Sequence, residues 1–413
     1  MDEVYTTYIQ NNVLSFIDGI DEEQEYKKLI DFLNSDEFRS FGDGLAYVIN
    51  KKDKSADINS KTLEKYLKNK CEENGVKLSD IGSRNTFKGW FGATRPDKKS
   101  QNREKLFALS FALGLDIEEV KYLFHKVYLD RAFDYRNYKE TVYYYCISKG
   151  YNFERAQNII AEIEKRENKE SIERKHTNSI SREIETIKGD NDLIDWICKR
   201  WSNFQYKNET AIQIFKTLFE RAKKASYDEY KTYEKAFSDM DNLQDNSTSS
   251  IYYIIFNCFH EKKATEKFNS IFNNSTKINN EIKTNFPNIN TLREIERKID
   301  SLSNDTNYDE LRKNIILLKF YTFFRNVADA LNKKIYMDEC SIEDCNKKLE
   351  PYRESFIAEM NDLLNDCGMC ELYAANPYDL IFIISMTTYN PIDTLRGIIA
   401  EIAYQDEDWF FGE

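Results

Sequence analysis

Residues 83–105 read SRNTFKGWFGATRPDKKSQNREK, and the interpretation of the chain turns on this stretch. Seven cations (Arg84, Lys88, Arg95, Lys98, Lys99, Arg103, Lys105) stand against two anions (Asp97, Glu104), which leaves five net positive charges. The whole chain carries a formal charge of -12. A basic window on an acidic protein has the sign of charge that a nucleic-acid contact requires. Phe87, Trp90 and Phe91 recur at the spacing of one helix face, which predicts a helix over 83–91 with a buried aromatic side. Gly92 can end it, and ATRPDKKS reads as a loop.

Working outward, residues 60–75 predict a helix with Leu63, Tyr66 and Leu67 facing inward and Gly75 as its stop. Leu78–Ile81 has room for one turn or two. After the basic loop, Asn102–Ala112 carries Leu106, Phe107, Leu109 and Ala112 and closes at Gly114. Asp116 followed by Glu119 has the spacing of a capping box, opening a helix that buries Val120, Leu123, Phe124 and Val127. Tyr138–Lys149 is a further helix, stopped by Gly150. Toward the N-terminus, Tyr26, Leu29, Ile30 and Leu33 make one apolar helix face.

SDIGSRNTFKGWFG followed by RPDKKSQNREKLFALSFALGLDIEEVKYLF resembles the five-helix DNA-binding domain of the Cro and phage-repressor class of helix-turn-helix proteins, over about residues 60–128. The resemblance implies that Trp90 packs into the core at the end of the third helix. It implies that this helix lies in the major groove, with Ser83, Arg84, Asn85 and Lys88 as base readers. Arginine can grip guanine through two bonds, and asparagine can grip adenine likewise. Arg95, Lys98, Lys99 and Arg103 would then hold phosphates.

Gly (13) and Pro (5) are scarce among 413 residues, and no proline lies between Pro96 and Pro287. Such a chain favours helices over turn-rich β-architecture, so the expected fold class is all-α. The length allows two or three domains. Residues 1–160 form the expected helical domain with the helix-turn-helix at 60–128. The charged stretch 161–191 reads as a linker or solvated helix, and 192–413 as a larger, irregular helical interaction domain. In that last part, Leu193–Trp201 and Ile212–Phe219 mark helices, and Ser226 with Glu229 would cap another. Ile251–Phe259 and Ile315–Phe324 are apolar enough to be central. Thr291 with Glu294 is a further capping pair. Asn376-Pro377 and Asn390-Pro391 each announce a helix start.

Motifs for chemistry are missing from the sequence. It holds no phosphate-binding glycine loop, no G-x-S-x-G and no H-E-x-x-H. His125, His176 and His260 have no recognisable partner, so no enzymatic activity and no cofactor are expected. Cys340-x4-Cys345 and Cys367-x2-Cys370 have the number for a zinc site. However, cysteines five apart on a helix point in different directions, so thiols are the expectation. The N-terminus is acidic and polar, and the longest apolar runs, such as Leu380–Met386, are too short to span a bilayer. A cytoplasmic protein without membrane contact is expected. The wealth of Lys, Asn, Ile and Tyr points to an AT-rich genome such as that of a low-GC bacterium, its phage or a mobile element. The acidic-aromatic tail, Asp406–Phe411, is expected to fold back onto the protein's own core.

Two functions follow as expectations. The first is a non-enzymatic DNA-binding regulator with double-stranded DNA as its partner. The second is a helical scaffold or adaptor in a phage–host conflict system, binding a protein partner or itself through 192–413.

Overall fold

The computed structural model describes residues 40–92, Pro96, Lys98, 100–166, 177–204, 209–234, 308–335 and 342–404. These residues form no β-strand, and the fold is all-α. None of their helices is long and apolar enough to cross a membrane. The chain divides into two compact units. One is built from the described parts of Arg39–Glu209 with Leu364–Cys370, the other from those of Thr210–Leu363 and Glu371–Glu413.

The first unit begins with α1 (Phe41–Lys52), α2 (Leu63–Asn74), α3 (Leu78–Ile81), α4 (Arg84–Gly89), α5 (Ser100–Ala112) and α6 (Ile117–Tyr122). A π-helix, Leu123–Tyr128, prolongs α6. Then follow α7 (Tyr138–Ser148), α8 (Phe153–Lys165), α9 (Thr177–Thr186), α10 (Asp190–Lys199) and a 3-10 turn at Trp201–Phe204. The punctuation follows the sequence. Gly75, Gly114 and Gly150 take left-handed backbone after α2, α5 and α7 (φ 67°, 60° and 69°), where a side chain would be strained. Asp116 and Glu119 form the reciprocal capping box at α6.

One continuous core runs through this unit, from Phe41 on α1 to Phe204. Phe107 packs at 4.8 to 5.5 Å, in tilted contacts, with Phe124, Tyr143 and Phe133 at its centre. In the described parts of the charged stretch, 161–166 and 177–191, Ile163, Ile184 and Ile187 are buried in the core of this unit. A few buried isoleucines are enough to dock helices whose average composition is polar.

In the second unit, α11 (Glu209–Glu234) runs unbroken through Ser226. The helix start expected there does not occur. No Gly or Pro interrupts this stretch, so the chain continues the helix it has begun. The unit also holds α12 (Tyr308–Ile335), α13 (Ile342–Asp366) as far as Leu363, α14 (Pro377–Thr387) and α15 (Pro391–Tyr404). Leu311 to Leu318 of α12 are buried on every side. Asn376 caps α14 by accepting from the Tyr378 N–H at 3.1 Å, with Pro377 in the first turn. Arg312 grips Asp379 through two bonds of 2.8 Å, and Arg353 donates to the carbonyls of Met386, Thr387 and Thr388 at the end of α14. The helices expected around Ile251–Phe259 and Thr291, and the tail from Asp406, lie outside the described residues.

Candidate nucleic-acid interface

The surface singled out by the sequence is the outer face of α4. Its local fold is set by Ser83, whose Oγ accepts from the Thr86 N–H at 3.4 Å while the Ser83 N–H donates to Thr86 Oγ1 at 3.3 Å. One side of this short helix is apolar and buried: Phe87 and Trp90 lie inside. Arg84, Asn85 and Lys88 are exposed on the other side, and Ser83 is exposed at the N-cap.

An aromatic contact and a backbone bond tie the end of α4 to α1. Trp90 makes edge-on contacts with Phe87 and Phe41, both with ring centroids 5.2 Å apart. The Gly42 N–H, in the first turn of α1, donates to the Trp90 carbonyl at 2.6 Å. The approach is so close that a Cβ on Gly42 would stand 2.5 Å from the Phe91 ring. On Gly44, two residues further and across the helix, it would meet Val127 at 2.7 Å. The contact between α1 and α4 joins segments far apart in the sequence. The signal was present in FGDG, because two glycines early in a helix lower its stability unless another element must come close.

Arg84 is 72% exposed, and its Nε lies 3.7 Å from Glu64 Oε2 on α2. That contact is wet and long, and it leaves most of the guanidinium available. Lys88 and Asn85 are exposed beside it.

Of the residues expected at phosphates, the two described ones are less exposed than the base readers. Arg95 and Lys99 lie outside the described residues, and Lys98 is half-buried. Arg103 is 5% exposed and belongs to the core. Its Nε and Nη2 donate to the two Glu140 carboxylate oxygens at 2.8 and 2.7 Å, and its Nη1 to Asp130 Oδ2 at 2.6 Å. The carbonyls of Arg131 and Ala132 accept further bonds at 2.9 and 3.3 Å. Burial works against the charged guanidinium, but Glu140 and Asp130 outweigh it and hold the Arg103 pKa well above its ordinary value. A cation so enclosed cannot reach a phosphate, and the expectation for Arg103 is corrected accordingly.

The cysteines give no ligand set among the described residues, where no group of three or more metal-ligating side chains comes together. Cys340 and the side chain of Cys345 lie outside them. Cys370 is half-buried, and Cys367 is buried, with its thiol pushed up to about 12 by desolvation and by Asp366. His125 sits on the π-helix, and His176 and His260 are outside the described residues.

No family model, curated protein or solved structure matches this chain.

Proposed function

We propose that this protein is a non-enzymatic, cytoplasmic DNA-binding regulator, of the kind carried by bacterial mobile elements, and that it reads duplex DNA with the outer face of α4. One observation carries the reading: Arg84, Asn85 and Lys88 are exposed on one side of α4, with Ser83 exposed at its N-cap, while Phe87 and Trp90 are buried. The chemistry suits base edges. Arg84 can donate two bonds to guanine, Asn85 can pair with the donor and acceptor of adenine, and Lys88 can add a point charge. Six residues make a helix about 9 Å long, and the major groove is about 12 Å wide. A rigid aromatic base beneath the readers keeps their positions fixed before contact.

The test is fluorescence anisotropy of the full chain with duplex DNA, titrated from low to physiological salt, beside the Arg84→Ala/Lys88→Ala variant. The reading expects affinity that falls steeply with salt and drops at least tenfold in the variant. Binding that the double substitution leaves unchanged would sink it.

A second reading is favoured by the net charge of -12, which repels DNA over much of the surface. Here the chain is an adaptor of a phage–host conflict system that binds a basic protein or itself through its second unit, and α4 reads nothing. Absence of DNA binding even at low salt, together with a stable protein complex, would put this reading first.

A further inference from the structure

We propose that Lys61, Lys65 and Lys68 form a phosphate-binding row that seats the DNA backbone next to the bases read by α4; this rests on the DNA-reading proposal above. Arg103 is buried, which removes one of the expected phosphate contacts and leaves room for another basic surface beside α4. The Arg84–Glu64 contact marks that surface, because it places the Glu64 side of α2 next to Arg84.

Leu63, Leu67 and Cys71 are the buried stripe of α2. At 3.6 residues per turn, Glu64 lies on the flank of that stripe, and Lys68, Lys61 and Lys65 follow around the outer surface within roughly a third of a turn. Lys61 belongs to this row although α2 begins at Leu63, since Thr62 already has helical backbone (φ -98°, ψ -25°). All three lysines are exposed. None of them forms an ion pair with another described residue. Glu64 is the single anion inside the row, and it is engaged by Arg84. Glu72, one turn beyond Lys68, ends it.

The occupant this row fits is the sugar–phosphate backbone of duplex DNA. Lysine ammonium groups are mobile point charges that neutralise phosphates without reading sequence. Their position beside Arg84 puts them where a backbone must pass if α4 enters the groove. The row therefore supplies affinity and register, and α4 supplies discrimination.

The experiment uses the full chain in the same anisotropy assay, with duplexes of several sequences and a salt titration for each. The variant is Lys61→Gln/Lys65→Gln/Lys68→Gln. Its control is Lys149→Gln/Lys165→Gln/Lys188→Gln, which removes the same charge from other exposed positions of the unit. Circular-dichroism melts of both verify folding. The row predicts that the first variant binds every duplex more weakly and that its slope of log affinity against log salt shrinks by about two to three, near 0.9 for each lost phosphate contact. The control keeps most of the wild-type slope. Lys61→Arg/Lys65→Arg/Lys68→Arg keeps it fully. An unchanged slope in the first variant, with binding still lost in Arg84→Ala/Lys88→Ala, overturns the row and leaves base reading by α4 intact. An equal loss in the control reduces the effect to net charge and also overturns the row. No salt-dependent binding by the wild-type chain overturns both proposals.

Discussion

Arg84 and Arg103 stand at the two ends of one basic window, yet they have opposite fates. Arg84 is 72% exposed with a single distant carboxylate, whereas Arg103 is sealed in the core between Asp130 and Glu140. Their immediate sequence surroundings are alike, polar and cationic. What separates them is the rest of the fold. The anions that capture Arg103 arrive from 27 and 37 residues further along the chain. A charge count over a window says how many cations are present. It does not say which of them the fold will consume.

The strongest way to probe this contrast is Arg103→Met. Removing the guanidinium leaves two carboxylates and two carbonyls facing a buried gap. Breaking a buried pair from one side costs about 3–5 kcal/mol, because the remaining charges stay desolvated. Urea unfolding of the full chain should show that loss in the transition of the first unit. The double change Arg103→Met/Glu140→Gln removes one of the orphaned charges and should recover part of it. A loss below about 1 kcal/mol would mean that solvent reaches the cluster, and the contrast with Arg84 would fail.

Gly42→Ala tests the other half of the comparison, namely that α4 is exposed but rigidly held. The added methyl group would collide with the Phe91 ring, so either the ring or the end of α4 must move. Overpacking of this kind costs about 1–3 kcal/mol. Phe91→Leu in the same chain opens space and should restore part of the stability, as measured by thermal melts of the single and double variants. If Gly42→Ala is neutral, α1 does not fix α4, and the readers are not held in advance of contact.

How much of this could be read in advance depended on range. Caps and stops are local, and they were legible: Asp116 with Glu119, Asn376-Pro377 and the glycines at 75, 114 and 150 all act where the sequence places them. The aromatic underside of α4 was legible too, because Phe87 and Trp90 recur at helical spacing. The all-α class followed from the scarcity of turn residues. The burial of Arg103 was not legible, since neither Asp130 nor Glu140 is distinguishable by type or spacing from the chain's other carboxylates. Nor was the clasp between α1 and α4, which depends on a tertiary contact between Gly42 and Trp90. Ser226 misled for the opposite reason. A serine followed three residues later by glutamate has the form of a cap, but a helix already under way overrides it.

The smallest expected effect is also informative. Arg84→Ala should change the stability of the full chain by less than about 0.5 kcal/mol, since an exposed pair at 3.7 Å adds little to the folded state. Glu64→Gln should be equally silent in urea unfolding. It should nonetheless strengthen DNA binding slightly at low salt, because it frees the guanidinium and removes the one anion from the surface of Lys61, Lys65 and Lys68. A near-zero stability change makes any loss of affinity in Arg84→Ala a loss of contact rather than of fold. A destabilisation above about 1 kcal/mol would instead make Arg84 part of the scaffold. The two arginines would then differ in degree of burial and not in role, and the outer face of α4 would lose its standing as a surface kept free for a partner.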